Sequence, residues 1–258
     1  RDAVNRVQKL TARTKAGHAG TLDPLAVGVL VVCLGRATRL IPYVQAAAKT
    51  YRGVFLLGRT SPSDDVETEV ATLSDAPIPT MDQVRAVLPQ VTGSILQRPP
   101  AYSAKKIAGQ RAYRLAREGK PADLQPQRVE VYQLDVACYD YPRLELVIRC
   151  SAGTYVRSIG RDVAAALGSG AMMAELERTA VGNFHIDDAL DVENLDRDQI
   201  ARSLQPPLTA VAGLPRIELS AQQQQAIQHG RAIVIADAQE EEFVAIRDGG
   251  ELAAILKR

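Results

Sequence analysis

Two long strand-like segments joined by a short turn place the strongest constraint on how this chain can fold. Residues 128–139 and 143–150 are rich in β-branched, aromatic and other apolar side chains, and only Asp-Tyr-Pro separates them. Strand patterns with so short a connection are typical of a β-hairpin, in which the two strands run antiparallel. The chain is therefore expected to contain an antiparallel sheet.

Helical and strand-like patterns occur in irregular order along the rest of the chain. Apolar residues recur at helical spacing in residues 2–12, 81–90 and 154–167. Further strands are predicted at residues 49–57 and, as a buried strand, at residues 27–34. Thr80 and Gln83 form a capping-box pattern ahead of the second helix, and Gly168 is placed to end the third. Because strict βαβ alternation is missing, the expected fold class is α+β, a mixed, mainly antiparallel sheet flanked by helices.

The C-terminal part of the chain is expected to form a small β-rich module. Residues 205–213, QPPLTAVAG, have the composition of a linker. A strand and a helix ending at Gly230 follow, and then strand patterns at residues 233–236, 243–247 and 252–256. The predicted domains are residues 1–210 and 211–258. A module of about 48 residues is close to the lower limit for folding alone, so it is expected to pack against the larger domain.

The nearly neutral charge of the chain conceals a strong separation along it. The formal net charge is +1. Residues 1–59 hold ten basic and two acidic residues, and residues 98–128 hold eight basic and two acidic ones. Residues 60–97 and 129–258 carry net charges of −5 and −8. The two basic segments can form a face that binds a polyanion, with the acidic segments turned away from it, or they can be ordinary solvated surface.

Cysteine usage and hydropathy exclude several classes of protein. Cys33, Cys138 and Cys150 lie far apart without a C-x-x-C pair, which indicates neither a disulfide framework nor a zinc site. Each is expected to be a buried, small apolar side chain. No run approaches the roughly 18 consecutive apolar residues of a membrane span, and residues 1–20 lack the apolar centre of a signal peptide. A soluble, cytoplasmic protein is expected.

The most unusual stretch of the sequence reads KAGHAGTLDPLAVGVL and contains Asp23. Gly17 and Gly20 permit backbone conformations and close approaches that other residues resist, and Pro24 stiffens the turn after Asp23. A carboxylate on a rigid loop beside a strand can act as a nucleophile or as a base. Taken alone, Asp23 can equally be the cap of a turn, and His18 an ordinary loop histidine.

The pattern K-x-G-H-A-G-T-L-D-P-x-A-x-G-V-L in this stretch resembles the signature of the TruB family of tRNA pseudouridine synthases. Further pieces of the family pattern follow in order at residues 35–40 (GRATRL), 49–51 (KTY), 98–106 (RPPAYSAKK), 109–113 (GQRAY) and 150–158 (CSAGTYVRS). The resemblance extends from residue 1 to about residue 183. The family's first strand, with a D-K-P-x-G turn ahead of the first helix, is missing here, so a truncated chain is expected.

The resemblance implies isomerisation of a uridine in tRNA, uridine 55 of the T-loop, to its C-glycoside, pseudouridine. It assigns Asp23 as the nucleophile, attacking either the anomeric carbon of the ribose or C6 of the pyrimidine, and it implies neither cofactor nor metal. The target base must be flipped out of the folded RNA loop into the site. By the same carry-over, His18 lies near the flipped nucleotide and Tyr51 packs against its base.

The resemblance also assigns the residues around Asp23. Arg157 is expected to pair with Asp23, since a guanidinium favours the ionised form of a carboxylate and fixes its orientation. Tyr155 is expected to line the substrate pocket, and Leu176 to supply an apolar side of it.

The basic segments are expected to contact the phosphates of the tRNA. The assigned RNA-binding residues are Lys15, Lys105, Lys106, Arg111 and Arg114. A helix over residues 110–118 would bring Arg111, Arg114 and Glu118 onto one face. These residues are expected to set affinity and its salt dependence rather than chemistry. The C-terminal module resembles a PUA-type RNA-contacting domain, and a purely structural cap is the alternative.

Two other functions are compatible with parts of this pattern. A non-catalytic tRNA-binding or tRNA-folding protein of the same fold would keep the RNA surface, but it has no need of Asp23, Tyr51 and Arg157 together. A glycoside hydrolase would want a second carboxylate near Asp23, and the loop itself contains none. The partner expected is tRNA through its T-loop and T-stem, with no membrane and no obligate protein partner, and the chain is expected to be a monomer.

Overall fold

A computed structural model describes residues 2–103, 105–107, 109–120, 124–235, 240–247 and 249–258, with the backbone alone for residues 106 and 107. Contacts divide the chain into two compact units. The sheet unit comprises residues 21–30 and 46–181, and the composite unit comprises residues 1–20, 31–45 and 182–258. The predicted division into residues 1–210 and 211–258 stays a prediction.

The α-helices are α1 (Asp2–Leu10), α2 (Ile41–Ala46), α3 (Met81–Val87), α4 (Ala112–Arg117), α5 (Val156–Ala166), α6 (Arg197–Ser203) and α7 (Ala221–Gln228). Short 3-10 helices span Gly35–Leu40, Leu88–Val91, Ile186–Asp188 and Pro207–Val211. The strands are β1 (Ala16–His18), β2 (Ala26–Gly28), β3 (Val32–Leu34), β4 (Lys49–Leu57), β5 (Arg59–Thr60), β6 (Ala71–Thr72), β7 (Gly93–Gln97), β8 (Lys106–Ile107), β9 (Gln110–Arg111), β10 (Gln127–Asp140), β11 (Arg143–Cys150), β12 (Ala171–Val181), β13 (Phe184–His185), β14 (Arg216–Glu218), β15 (Glu242–Arg247) and β16 (Glu251–Lys257).

A mainly antiparallel sheet forms the centre of the sheet unit. Its strands follow the order β12, β4, β11, β10, β7, and each is antiparallel to its neighbour. Strand β2 lies parallel beside β12. The predicted hairpin is β10 and β11, and it closes with Asp140 opposite Arg143. The α+β fold class and the mixed, mainly antiparallel sheet predicted from the sequence are confirmed.

Helix α5 packs very closely on one face of this sheet. Phe55, Leu144 and Met173 lie side by side on β4, β11 and β12 and are fully buried. The approach depends on Gly160 in α5, because a Cβ atom there would lie 2.0 Å from Cδ1 of Phe55. This contact fixes the position of α5 on the sheet, and the first turn of α5 carries Arg157.

The predicted helices are confirmed with small shifts at their ends. They correspond to α1, α3 and α5, and α3 continues as the 3-10 helix Leu88–Val91. The capping box is present, since Thr80 and Gln83 each bond the backbone N–H of the other. Gly168 follows α5 with a positive φ of 70°, a conformation in which glycine ends helices at low cost.

The prediction of one buried strand over residues 27–34 is wrong. The segment forms two short strands, β2 in the sheet unit and β3 in the composite unit, and the side chain of Val27 is 61% exposed. Gly28, the last residue of β2, has a φ of +100°, and a Cβ atom there would lie 2.3 Å from the carbonyl oxygen of Arg178. The backbone bends at this glycine, although the β-branched residues around it have the composition of one continuous strand.

The C-terminal strands belong to the composite unit. Strands β14, β15 and β16 form a small sheet in which β15 is central. Val244 and Ile246 of β15 share one hydrophobic cluster with Leu40 and Val211. These strands therefore pack against Leu40 within their own unit, and the predicted packing of a separate module 211–258 against a larger domain stays a prediction. The linker prediction is wrong at Val211, which is buried because the apolar residues of the segment fold into a 3-10 helix facing this cluster.

Three smaller predictions have mixed outcomes. Residues 233–235 are irregular rather than a strand, and residue 236 lies outside the described residues. Cys33 and Cys150 are buried as predicted, but Cys138 is exposed, beside a register shift in β10. Over the described ranges, no helix combines the length and apolar character needed to cross a membrane.

Candidate active site

The loop that carries Asp23 is fastened to the sheet at its C-terminal end. The carbonyl oxygen of Asp23 accepts a hydrogen bond from the N–H of Ala26 at 2.9 Å, where β2 begins. The N–H of Val29 donates to the carbonyl oxygen of Arg178 at 2.8 Å, and Nε of Arg178 donates back to the Val29 carbonyl at 2.8 Å. The Asp23 side chain remains 43% exposed. A rigid loop therefore presents a carboxylate that a substrate can reach.

Arg157 lies beside Asp23 and is almost completely buried. Its Nε atom is 3.3 Å from Oδ2 of Asp23, and its side chain is 7% exposed. One terminal nitrogen donates to the carbonyl of Ser63 at 2.9 Å and lies 3.0 Å from Oδ2 of Asp65. The other donates to the carbonyl of Tyr102 at 3.0 Å. The pair expected from the resemblance is brought together, and the guanidinium is held from three further directions.

Asp65 is a member of this cluster that sequence reasoning missed. Its side chain is 2% exposed and pairs with Arg157, 92 residues away in sequence. The other carboxylate oxygen accepts from the N–H of Glu67 at 2.9 Å and from the hydroxyl of Ser63. The run Ser-Asp-Asp at residues 63–65 signals a local turn, but it carries no sign of a distant partner.

A second set of ion pairs lies one helical turn further along α5. Arg161 is 3.0 Å from Asp64 and 3.0 Å from Asp162, and it donates to the carbonyl of Arg98 at 2.8 Å. Burial raises the pKa of Asp64 above its usual value, and the Arg161 charge opposes that rise. The expectation that the acidic residues 60–97 face away from a polyanion stays a prediction, and the structure adds that Asp64 and Asp65 form ion pairs within the sheet unit. Both carboxylates are paired with arginines of α5.

Tyr51 lies on β4, opposite Ile148 of β11 and Arg178 of β12. Burial is the largest cause that raises the pKa of the Tyr51 phenol, the Arg178 guanidinium lowers it, and the Asp23 carboxylate contributes a small further rise. The phenol therefore keeps its proton at neutral pH. Arg178, which also bonds Tyr51, is buried and is a second residue that sequence reasoning missed.

Tyr155 and Leu176 occupy different surroundings in the sheet unit. Tyr155 is the residue that precedes α5, in an extended conformation. Leu176 is buried in β12 opposite Gly53 and Ala26, within the hydrophobic core. Their predicted contacts with a substrate stay predictions.

His18 and Lys15 lie in the composite unit. His18 ends β1 opposite Val32, and its Nδ1 atom is buried without a hydrogen-bond partner within the part of the chain that the structure describes. The carbonyl of Lys15 accepts from the N–H of Gly35 at 2.7 Å. Their predicted roles toward RNA stay predictions.

The basic segment after β7 presents some of its predicted cations to solvent. Nζ of Lys105 is 3.4 Å from Oε1 of Gln127. Arg111 is exposed in β9, just before α4, so the predicted helix begins after it. Arg114 is exposed and pairs with Glu118 at 3.1 Å, as the helical spacing predicts. The side chain of Lys106 lies outside the described residues, as does residue 104.

Metal-ligating residue types do not cluster in the described ranges. No group of three or more His, Cys, Asp or Glu side chains there is arranged to hold a metal ion.

Comparison with known proteins gives concordant matches. The family model described as TruB family pseudouridylate synthase (N terminal domain) matches residues 8–156. The chain is 42% identical over 254 residues to tRNA pseudouridine synthase B of Caulobacter sp. (strain K31), which covers 96% of this chain and 82% of that protein. It is 36% identical over 259 residues to tRNA pseudouridine synthase B of Mycobacterium sp. (strain KMS), covering 98% of this chain and 86% of the relative.

Two solved structures share the fold. The first is a crystal structure of a Cbf5-Nop10-Gar1 complex, with a TM-score of 0.76 and 26% identity, covering 98% of this chain and 73% of that chain. The second is an H/ACA RNP bound to a substrate RNA containing 2'-deoxyuridine, with a TM-score of 0.76 and 24% identity, covering 99% of this chain and 73% of that chain. At that identity the second likeness supports the fold alone.

Proposed function

The chain belongs to the TruB family of pseudouridylate synthases, and from this premise we propose that it converts uridine 55 in the T-loop of tRNA into pseudouridine. The observation that carries the proposal is the ion pair between Asp23, which is open to solvent, and Arg157, which is buried. The relatives named tRNA pseudouridine synthase B supply the substrate class. The uridine position follows from the family signature around Asp23.

The reaction needs a group that holds one fragment of the nucleotide while the base turns. Asp23 can form a bond to the anomeric carbon as the bond from that carbon to N1 breaks, or it can add to C6 of the pyrimidine, after which the bond between N1 and the anomeric carbon breaks. In either case the base rotates, C5 bonds to the anomeric carbon, Asp23 is released, and the proton leaving C5 is balanced by one gained at N1. The net change is an isomerisation.

The geometry suits a nucleophile better than a simple counter-ion. Arg157 already has a buried carboxylate, Asp65, to balance its charge. Asp23 is therefore oriented by the guanidinium without being its only anionic partner, and it stays accessible at the mouth of the cluster. Tyr51 lies on β4 between Ile148 of β11 and Arg178 of β12, and its aromatic ring is the group on which a flipped base would stack.

A glycoside hydrolase fits this arrangement less well. Asp65 is the second carboxylate that such an enzyme would need, and it lies on the same arginine as Asp23. Its oxygens accept bonds from Arg157, Glu67 and Ser63, and its side chain is out of solvent. With both oxygens bonded inside the protein and its side chain out of solvent, Asp65 is not placed to exchange a proton with a leaving group or to direct a water molecule at a substrate.

The substitution Asp23→Asn tests the nucleophile. We expect it to abolish pseudouridine formation and to leave the Kd for unmodified tRNA within about tenfold of the parent value, about 1.4 kcal/mol, because the amide keeps the shape but cannot attack. Tritium release from tRNA labelled at C5 of uridine measures the first quantity and filter binding the second. Asp82→Asn, an exposed carboxylate in the first turn of α3, is the matched control and should behave as the parent.

The outcomes separate the alternatives. Turnover of the Asp23→Asn variant near the parent rate would remove Asp23 as nucleophile. Tritium release by the parent from a tRNA whose uridine 55 is replaced by cytidine would overturn the position. A parent protein that binds tRNA and releases no tritium would be the non-catalytic RNA-binding protein of the same fold.

A further inference from the structure

A fully buried glutamine bonds both backbone polar groups of the residue that begins the active-site helix. Gln97 is the last residue of β7 and is 0% exposed. Its Oε1 atom accepts from the N–H of Tyr155 at 2.8 Å, and its Nε2 atom donates to the carbonyl of Tyr155 at 3.1 Å. The two residues are 58 positions apart in sequence.

This arrangement holds the residue just ahead of the helix, whose carbonyl also accepts the helical bond from the N–H of Ile159 at 3.3 Å. Tyr155 is the N-cap of α5, and its side chain makes no capping hydrogen bond. A carboxamide that accepts from an N–H and donates to the C=O of the same residue acts like a neighbouring strand, so it fixes both the position and the rotation of that peptide. Burying an amide is costly unless it is hydrogen-bonded, and the two contacts offset that cost for Gln97.

We propose that Gln97 is a positioning residue for the isomerisation, which places Arg157 against Asp23 by clamping the backbone of Tyr155. This inference rests on the proposed function. Arg157 lies two residues beyond Tyr155 in the first turn of α5, so any movement of Tyr155 is carried to the guanidinium. A misplacement of about 1 Å in a catalytic group can cost on the order of a hundredfold in rate.

The neighbouring contacts show why the side chain of Gln97 can be tested by itself. The segment after β7 also bonds α5 through its backbone, since the carbonyl of Arg98 accepts from Ser158 and Arg161. Those bonds survive when the side chain of residue 97 is changed. Removing the carboxamide therefore releases Tyr155 without detaching β7 from the helix.

The substitution Gln97→Met removes both hydrogen bonds and nearly keeps the volume. We expect the single-turnover rate of pseudouridine formation to fall at least tenfold, with the Kd for unmodified tRNA within about threefold of the parent value. A loss confined to the chemical step is the sign of a displaced catalytic group. A purely structural role would lower the melting temperature and leave the rate per folded molecule unchanged.

The substitution Gln97→Glu gives a second readout that depends on pH. When protonated, the introduced carboxyl can accept from the Tyr155 N–H and donate to the Tyr155 carbonyl, as the amide does. When ionised, it can only accept, and it repels the carbonyl oxygen. The rate of this variant relative to the parent at the same pH should therefore rise as pH falls, whereas the ratio for Gln97→Met should stay constant.

Val84→Ala is the matched control, because Val84 is also fully buried in the sheet unit but makes no contact with Tyr155 through a hydrogen bond. It should lower the melting temperature and keep the parent rate per folded molecule.

If the parent forms pseudouridine and Gln97→Met does so at the parent rate, the positioning role is wrong and the proposed function stands. A ratio for Gln97→Glu that falls as pH falls would also overturn it, even if Gln97→Met failed to fold. A parent that forms no pseudouridine overturns both proposals.

Discussion

Arg157 is the residue through which the chemistry at Asp23 depends on distant parts of the chain. A guanidinium has five N–H donors in a rigid plane. Here they are shared between two carboxylates, Asp23 and Asp65, and the carbonyls of Ser63 and Tyr102. A buried cation is costly without a partner, and Asp65 provides one that no solvent reaches. Asp23 is thus free to act on a substrate while its orientation is held.

The pH dependence of protein stability tests whether Asp64, next to Asp65, is buried. Burial raises its pKa above the usual value of 3.8, so the folded protein holds this proton more tightly than the unfolded chain does. Its contribution to stability is present at low pH and is lost as pH rises through the folded pKa. For Asp64→Asn, which has no such loss, the free energy of unfolding relative to the parent should increase as pH rises.

Urea unfolding of both proteins at about pH 4.5 and about pH 7.5 measures this difference. Asp75→Asn, an exposed carboxylate of the same acidic segment, should show little pH-dependent difference from the parent. A difference for Asp64→Asn that falls with rising pH would mean that the pairing with Arg161 outweighs burial.

At the scale of elements, the position of α5 on the sheet decides whether the site forms. Its first turn carries Arg157, its second carries Arg161, and its middle touches Phe55 where Gly160 leaves room. The helix is therefore held by packing at its centre and by hydrogen bonds at its start. The loop with Asp23 is fastened separately, through β2 and Arg178.

Gly160→Ala should disturb both packing and chemistry. The added Cβ would lie 2.0 Å from Cδ1 and 2.2 Å from Cε1 of Phe55, a fully buried ring with little room to move. We expect a loss of about 1–3 kcal/mol in the free energy of unfolding, as for other overpacked cores, and a slower single-turnover rate as α5 shifts. Ala165→Ser, at an exposed position of the same helix, should change neither quantity. Parent-like stability of Gly160→Ala would contradict this prediction and show that Phe55 and the sheet can move to accept the added methyl group.

At the scale of the whole molecule, the separation of charge along the chain acquires a more specific meaning. Within the sheet unit, Asp65 and Asp64 form ion pairs with Arg157 and Arg161. Within the described residues, Arg111 and Arg114 are exposed, and Arg114 is shared with Glu118. A net charge of +1 is compatible with a basic surface, because the sum over the chain does not record which charges are paired in the interior and which are exposed.

Reversing two cations of this segment tests its role toward RNA. The double substitution Lys105→Glu and Lys106→Glu should weaken tRNA binding and flatten the dependence of log Kd on log salt concentration, because fewer counterions are released on binding. Each lost phosphate contact should reduce the slope by about 0.7 to 0.9. Arg202→Glu in α6 is the control for a change in net charge. An unchanged slope in the double variant would remove both lysines from the interface.

The extent to which sequence anticipates this protein differs between its elements. Sequence predicts best the features that depend on residues close together in the chain. These are the hairpin of β10 and β11, the capping box of α3 and the end of α5 at Gly168. The run of residues 27–34 misleads, because its β-branched composition is that of one strand while Gly28 bends the backbone against Arg178. Val211 misleads in the same way, as a linker composition hides a core residue.

By itself, the sequence determined the class of fold, the family signature and the place of Asp23, since each depends on local spacing or on a pattern read along one stretch of chain. Only the tertiary structure decided that Asp65 shares Arg157 with Asp23 and that Gln97 holds Tyr155. These partners are separated by 92 and 58 positions in sequence. Whether such residues form a hydrogen bond or an ion pair depends on the strand order of the sheet and on how closely α5 packs against it. Neither residue carries a local sequence pattern, such as a helical or strand periodicity, that would reveal its distant partner.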